Sequence, residues 1–202
     1  MKKKLIFWTL ALSMSLVLVE CGQQGETKSD DASQTTASFG GFESQVAWGN
    51  HLVTICGCND CHTPKLMTPE GPILDSANML SGHPVNMPTI TTDFDKNAMS
   101  MKGLVVARDL TEWSGPWGVS YSANLTPDET GIGNWTEEQF FTALRKGKSK
   151  GLEGSRMLLP PMPWEMFQHM TDDEIKAVFA YLKSIKPVSN LVPPPVPPAG
   201  AQ

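Results

Sequence analysis

Basic residues are scarce in this 202-residue chain, in which 16 Lys and Arg stand against 21 Asp and Glu and the formal net charge is −5. Nowhere do they gather with aromatic residues into the basic surface that nucleic-acid binding needs. The chain also has no internal repeat. These absences argue against a nucleic-acid partner, and the length fits one domain with short extensions.

No hydrophobic run is long enough for a confident membrane span, because the apolar residues 5–19 have only the length of a signal-peptide core. Lys2, Lys3 and Lys4 precede this core, and Cys21 follows it. The order resembles a bacterial lipobox and predicts a signal peptide in residues 1–20 and lipidation of Cys21. Glu20 departs from the small residue usual before the cysteine. An uncleaved anchor helix is the alternative.

Both ends of the remaining chain lack a hydrophobic period. Residues 21–40 are polar and small, which predicts a flexible tether. Residues 190–202 form a Pro-rich tail that we expect to be extended and unpacked. The folded domain is therefore predicted in residues 41–189.

Three helices are predicted from periodicity and end signals. The first covers about residues 44–55. The second begins at the capping box Thr136–Gln139 and ends at Gly147, and the third begins at the capping box Thr171–Glu174 and is stopped by Pro187.

The region between the first two helices, residues 63–135, has many Gly and Pro and no convincing strand series. We expect long loops with short helical pieces there. So long an irregular stretch is uncommon unless it wraps something or has a function. A buried planar cofactor would supply the missing core, and the predicted class is all-α.

Cys58-Asn-Asp-Cys61-His62 has the CxxCH spacing of c-type haem attachment. Two thiols one helical turn apart can form thioethers with the two vinyl groups of one porphyrin, and the adjacent imidazole can bind the iron. A thioredoxin-like motif would need a βαβ context, and a zinc site would need a second ligand pair. A structural disulfide is the third alternative in an exported protein.

Cys56 precedes the attachment motif by two residues and is left over if Cys21 carries lipid. It is interpreted as a small buried residue at a helix end, with a redox-labile or alternative attachment thiol as the alternative.

The distal iron ligand is predicted to be Met162, in the segment Pro160-Pro-Met-Pro163. The prolines hold φ near −65° and make a stiff loop that can press the sulfur onto the open haem face. Met/His ligation raises a haem potential. The competing ligands are three other methionines and three histidines: Met157, Met166, Met170, His51, His83 and His169.

At this point the chain resembles the class I c-type cytochrome family, especially the cytochromes associated with bacterial alcohol and aldehyde dehydrogenases. Besides the CxxCH segment, the resemblance lies in Asn124–Asp128, Thr130–Thr136, Leu159–Trp164 and Ala180–Pro187. It implies a cytochrome c fold with three main helices and long loops around one haem c.

The same resemblance implies site roles. Cys58 and Cys61 would be the thioether residues, His62 and Met162 the axial ligands, and the last helix would cross the first near the haem edge. Only one CxxCH is present, which favours a stand-alone carrier.

Asn124, Thr126 and Trp135 lie in a segment predicted to be a tight loop near the haem. Their polar groups either hydrogen-bond a haem propionate or belong to a segment that simply roofs the pocket, and the sequence favours neither role.

The predicted function is one-electron transfer outside the cytoplasm, with a dehydrogenase or terminal oxidase as redox partner and a membrane tether through lipid. A periplasmic or outer-membrane lipoprotein is expected. The alternatives are a haem peroxidase or sulfur-compound oxidoreductase, which would need an open iron site, and a structural or redox-sensing lipoprotein.

Overall fold

The computed structural model describes residues 39–88 and 106–198, without the side chains of residues 106–108. The predicted signal peptide, Cys21 and nearly all of the predicted tether lie outside these residues. At the tether's end, Phe42 N–H donates to the Phe39 carbonyl at 3.0 Å, and Gly40 lies against the Trp48 ring. Phe39 and Gly40 therefore contact the start of the folded domain.

Helices α1 (Gln45–Ile55), α3 (Glu137–Lys146) and α5 (Asp172–Ser184) confirm the three predicted helices. Ser44 caps α1 by accepting from the Ala47 N–H. Both predicted capping boxes are present, and Gly147 ends α3 in the left-handed conformation. Two short helices, α2 (Cys58–His62) and α4 (Trp164–Phe167), lie beside the sequence motifs.

Helices α1 and α5 cross in direct backbone contact at Gly49. A Cβ placed on Gly49 would overlap the Ala177 carbonyl oxygen and lie 2.7 Å from the Tyr181 Cβ. Glycine is therefore required for this approach. Around the crossing lies one apolar cluster, hereafter the core: Leu52, Val53, Leu80, Ile132, Phe140, Leu144, Ile175, Ala177, Val178 and Leu182.

The strands correct the prediction of an all-α fold with only loops and helical pieces in residues 63–135. Strands β1 (Lys65–Thr68) and β2 (Gly71–Leu74) form a hairpin with Leu66 opposite Ile73. Strands β3 (Val106–Arg108), β4 (Glu112–Gly115) and β5 (Gly118–Tyr121) form an antiparallel sheet in that order. These strands have only three or four residues, too few for a period of two to stand out among Gly and Pro.

The Pro-rich tail is extended in residues 190–198 and mostly exposed, but the expectation that it is unpacked is wrong at Asn190 and Val196. The buried Asn190 amide donates to the Ser81 and His83 carbonyls at 2.7 and 2.8 Å. Val196 exchanges two backbone hydrogen bonds with Val119, which extends the sheet beyond β5. Proline removes its own backbone donor but leaves that of Val196 available.

Within the described ranges, none of the helices combines the length and the apolar composition that crossing a membrane requires.

Candidate haem site

Helix α2 presents the two cysteines of the CxxCH motif. It follows Gly57, whose φ of +67° turns the chain sharply out of α1. Cys58 and Cys61 are both partly buried free thiols, one helical turn apart. Burial is the main reason that the pKa of Cys58 rises to about 12 and that of Cys61 rises above its usual value. Both sulfurs are therefore neutral thiols near pH 7.

His62 ends α2 and is buried, and its ring is oriented by one hydrogen bond. Its Nδ1 lies 2.8 Å from the Ala123 carbonyl oxygen. A carbonyl oxygen only accepts, so Nδ1 carries the proton. Burial lowers the His62 pKa and keeps the ring neutral. Nε2 then has the free lone pair of a metal ligand, oriented as metal-bound histidines usually are.

Thr63 fastens the attachment motif to the next loop. Its buried hydroxyl accepts from the Leu80 N–H at 2.9 Å and donates to the Asn59 side chain at 3.2 Å. The Gly82 N–H donates to the His62 carbonyl at 2.8 Å. The sequence pattern did not single out these positions, although Thr63 stands directly after the histidine of the motif.

Two of these observations test whether the residues fit a covalently bound haem. The donor set is two sulfurs three positions apart and one imidazole directly after the second, all in the short helix α2, and the imidazole tautomer is the one that frees Nε2. The residues fit the group.

Met162 is partly buried against the core, and Cys58 packs against the same core. The Met162 N–H donates to the Leu159 carbonyl at 3.2 Å, and the Met162 carbonyl accepts from the Trp164 N–H at 2.9 Å. The proline-flanked segment is therefore a tight turn. Among the competing methionines, Met157 is 40% exposed and Met166 is 71% exposed, while Met170 is partly buried. Met162 as distal ligand stays a prediction.

The three competing histidines differ in environment. His51 is exposed and stacks on Phe42, and His169 is exposed near the start of α5. His83 is fully buried, with Nδ1 2.9 Å from the Thr111 hydroxyl and its ring 4.9 Å from that of Tyr121. The His83 ring is thus held beside the sheet.

Asn124 and Thr126 are buried and make hydrogen bonds to the segment that follows α5. The Asn124 amide donates to the Val188 carbonyl at 2.8 Å, and its oxygen accepts from the Thr126 N–H at 2.9 Å. The Thr126 hydroxyl accepts from the Val188 N–H at 3.1 Å. This geometry favours a structural role over propionate binding for these two residues.

Trp135 differs from them. It is partly buried against the core. In the described part of the chain its indole N–H makes no hydrogen bond to protein, so this donor is available to a ligand.

Cys56 closes α1 and is partly exposed. Its N–H donates to the Leu52 carbonyl at 2.9 Å. Burial, and secondarily the nearby Glu174, raise the pKa of its thiol above the usual value. The raised pKa disfavours the reactive thiolate form.

No protein-family model matches the chain. Individual relatives do. It is 44% identical over 78 residues to the fructose dehydrogenase cytochrome subunit of Gluconobacter japonicus, covering 37% of the chain and 15% of that protein. It is 45% identical over 80 residues to the cytochrome c subunit of a quinone alcohol dehydrogenase of Gluconobacter oxydans, covering 39% and 16%.

A third relative is the gluconate 2-dehydrogenase cytochrome c subunit of Pantoea cypripedii, 37% identical over 77 residues, which are 37% of the chain and 17% of that subunit. The chain thus spans about a sixth of the length of these relatives. The similarity confirms the resemblance to the c-type cytochromes associated with bacterial dehydrogenases.

Proposed function

We propose that the chain is a c-type cytochrome that carries one covalently bound haem c and transfers single electrons between proteins. The observation that carries the proposal is α2, where Cys58, Cys61 and His62 share one turn and the Ala123 carbonyl orients the imidazole at 2.8 Å. When bound, the haem supplies an iron that changes oxidation state by one electron.

Each protein residue has a definite role in this proposal. Cys58 and Cys61 would hold the porphyrin through thioethers, and His62 Nε2 would bind the iron. Met162 would supply a second protein ligand through its sulfur, which would favour reduced iron and leave no open position for a substrate. His62 is buried, and Cys58 and Met162 are partly buried against the core.

Trp135 is the residue we assign to a haem propionate. Its indole N–H is available, whereas Asn124 and Thr126 form hydrogen bonds with Val188. A donor to a carboxylate makes a charge-assisted bond, which is stronger than one between neutral groups.

The proposed role is electron transfer without substrate chemistry. The three named relatives are cytochrome subunits, not catalytic subunits. A haem enzyme would need an open iron site with a nearby base or thiolate. Cys56 closes α1 beside the attachment motif, and its raised pKa keeps it a thiol.

We propose a dehydrogenase as the electron donor, since the named relatives are subunits of fructose, alcohol and gluconate dehydrogenases. The chain would receive electrons that such an enzyme removes from an organic substrate. A terminal oxidase is the proposed acceptor class.

The attachment test uses protein made in a host competent for cytochrome c maturation. The unsubstituted chain should gain the mass of one haem that survives acid–acetone extraction, and a potentiometric titration should follow a one-electron curve. The double variant Cys58→Ala/Cys61→Ala should lose the retained mass, because no thioether can form.

Cys56→Ala is the matched control and should keep the full haem mass. If the Cys58→Ala/Cys61→Ala variant kept the haem mass and the Cys56→Ala/Cys58→Ala variant lost it, one attachment point would be Cys56. An unmodified polypeptide mass for the unsubstituted chain would overturn the proposed function.

We further propose that the protein is exported and tethered through lipid on Cys21. The supporting pattern is the apolar run of residues 5–19, which ends two residues before this cysteine. Cys21→Ala should release the cytochrome from the membrane fraction or leave an uncleaved precursor, as seen by fractionation and intact mass. Cys56→Ala is again the control. A Cys21→Ala protein that is processed and membrane-bound as before would rule out the lipid anchor.

A further inference from the structure

The buried hydroxyl of Ser120 connects the three-stranded sheet to the loop that carries Met162. It donates to the Pro160 carbonyl at 2.5 Å and accepts from the Trp117 indole N–H at 3.1 Å. The Trp113 carbonyl lies farther away, at 3.5 Å, so the single hydroxyl proton is directed to Pro160. The Trp117 indole, the Ser120 hydroxyl and the Pro160 carbonyl thus form two hydrogen bonds in series, and each bond strengthens the other.

The loop has few other ways of being fastened. Pro160, Pro161 and Pro163 have no backbone N–H, so this stretch makes fewer hydrogen bonds than its length would allow. The Leu158 N–H donates to the Gly147 carbonyl at 2.6 Å upstream of the turn. Ser120 supplies a contact from the sheet to Pro160, which lies two residues before Met162.

Ser120 is itself held on both sides. In the sheet it pairs with Trp113 of β4, and its neighbour Val119 exchanges backbone hydrogen bonds with Val196 at 2.8 and 2.9 Å. The Trp117 ring lies against Gly115, where a Cβ would come 2.5 Å from the ring. Neither the indole nor the strand can shift without breaking these contacts, so the donor is preorganised.

We propose that Ser120 is a positioning residue for Met162: its hydrogen bond to Pro160 keeps the loop in the conformation that holds the thioether on the iron. The inference rests on the proposed His62 and Met162 ligation. Without this hydrogen bond the sheet no longer holds the Pro160 carbonyl, and the conformation with sulfur off the iron becomes more populated. An added ligand competes better for the distal position in proportion to that population.

The test is imidazole binding to the oxidised holoprotein, with the reduction potential as a second measurement. Ser120→Ala should bind imidazole roughly tenfold more tightly than the unsubstituted protein, as expected for losing one net hydrogen bond. Its potential should fall, because the sulfur that favours reduced iron is bound less of the time. Ser120→Thr keeps the hydroxyl and should restore both values.

Ser184→Ala is the matched control, because the Ser184 hydroxyl donates to the Tyr181 carbonyl on an exposed part of α5. It should leave imidazole affinity and potential unchanged. Trp117→Phe keeps a ring against Gly115 but removes the donor to Ser120. It should raise the imidazole affinity and lower the potential, each by less than Ser120→Ala does. It also carries the test if Ser120→Ala fails to fold.

Two outcomes separate this inference from the proposed function. If Met162→Ala opens the iron to imidazole while Ser120→Ala and Trp117→Phe bind it as the unsubstituted protein does, the positioning role is wrong and the ligation stands. If the Ser120→Ala shift is not restored by Ser120→Thr, the hydroxyl is not responsible and the inference is also wrong. A protein without haem would instead overturn the proposed function itself.

Discussion

Replacing Met162 by Ala is expected to abolish the weak charge-transfer absorption at the red end of the oxidised spectrum and to lower the reduction potential. In the proposed ligation the thioether favours reduced iron, and its loss would leave only His62 as a ligand from the protein. The fall should be a substantial part of the roughly 0.8 V over which axial ligands set haem potentials. Absorption spectra, a potentiometric titration and cyanide binding measure the three consequences.

Met166→Ala and Met157→Ala are matched controls on the same stretch of chain. Met166 is 71% exposed, so its loss should change the free energy of unfolding by no more than about 0.5 kcal/mol and should leave the spectrum intact. Met157 is less exposed and lies near Gly147, so Met157→Ala should lower the free energy of unfolding more than Met166→Ala does, without changing the iron ligands.

If Met157→Ala lost the charge-transfer band and Met162→Ala kept it, the distal ligand would be Met157. If no Met variant alters the spectrum, a histidine pair is favoured, and His83 is the first to test.

Replacing Gly49 by Ala should lower the free energy of unfolding by at least about 2 kcal/mol. In an isolated helix this substitution would stabilise by up to about 1 kcal/mol, so the expected sign is reversed by tertiary contact. The new methyl would overlap the Ala177 carbonyl oxygen, and neither this backbone nor the nearby Tyr181 Cβ can move aside cheaply. Helices α1 and α5 would have to separate.

Thermal and denaturant unfolding of the holoprotein measure this effect. The midpoint temperature should fall by roughly 4–8 °C for a chain of this size. Gly154→Ala is the control, because no other heavy atom lies within 4 Å of a Cβ placed there, and it should change stability by no more than about 0.5 kcal/mol. Equal midpoints for the two variants would show that the helices do not cross at Gly49 as described.

The parts of the fold that were predictable depend on local pattern. Ser44, Thr136 and Thr171 cap their helices through side-chain oxygens bonded to N–H groups three residues on, so residues close in sequence determine where these helices begin. The CxxCH motif is local in the same sense, since one helical turn presents both thiols and the imidazole.

The parts that were missed depend on partners distant in sequence. Polar residues such as Asn124 fit a ligand role and a structural role equally well in sequence, and only contact with Val188, 64 residues on, separates the two. Likewise a Pro-rich composition predicts an extended chain but not whether it packs, and the pairing of Val196 with Val119 shows that it does.

By itself the sequence determined the three principal helices and the single turn that carries the CxxCH residues, because spacing within one or two helical turns specifies each of them. The attachment role of Cys58 and Cys61 and the export pattern stay predictions. The tertiary structure alone decided the tautomer of His62 and the contact at Gly49. It also decided the link from Ser120 to the Met162 loop. Each of these is a contact between segments dozens of residues or more apart, and such contacts depend on how the whole chain packs.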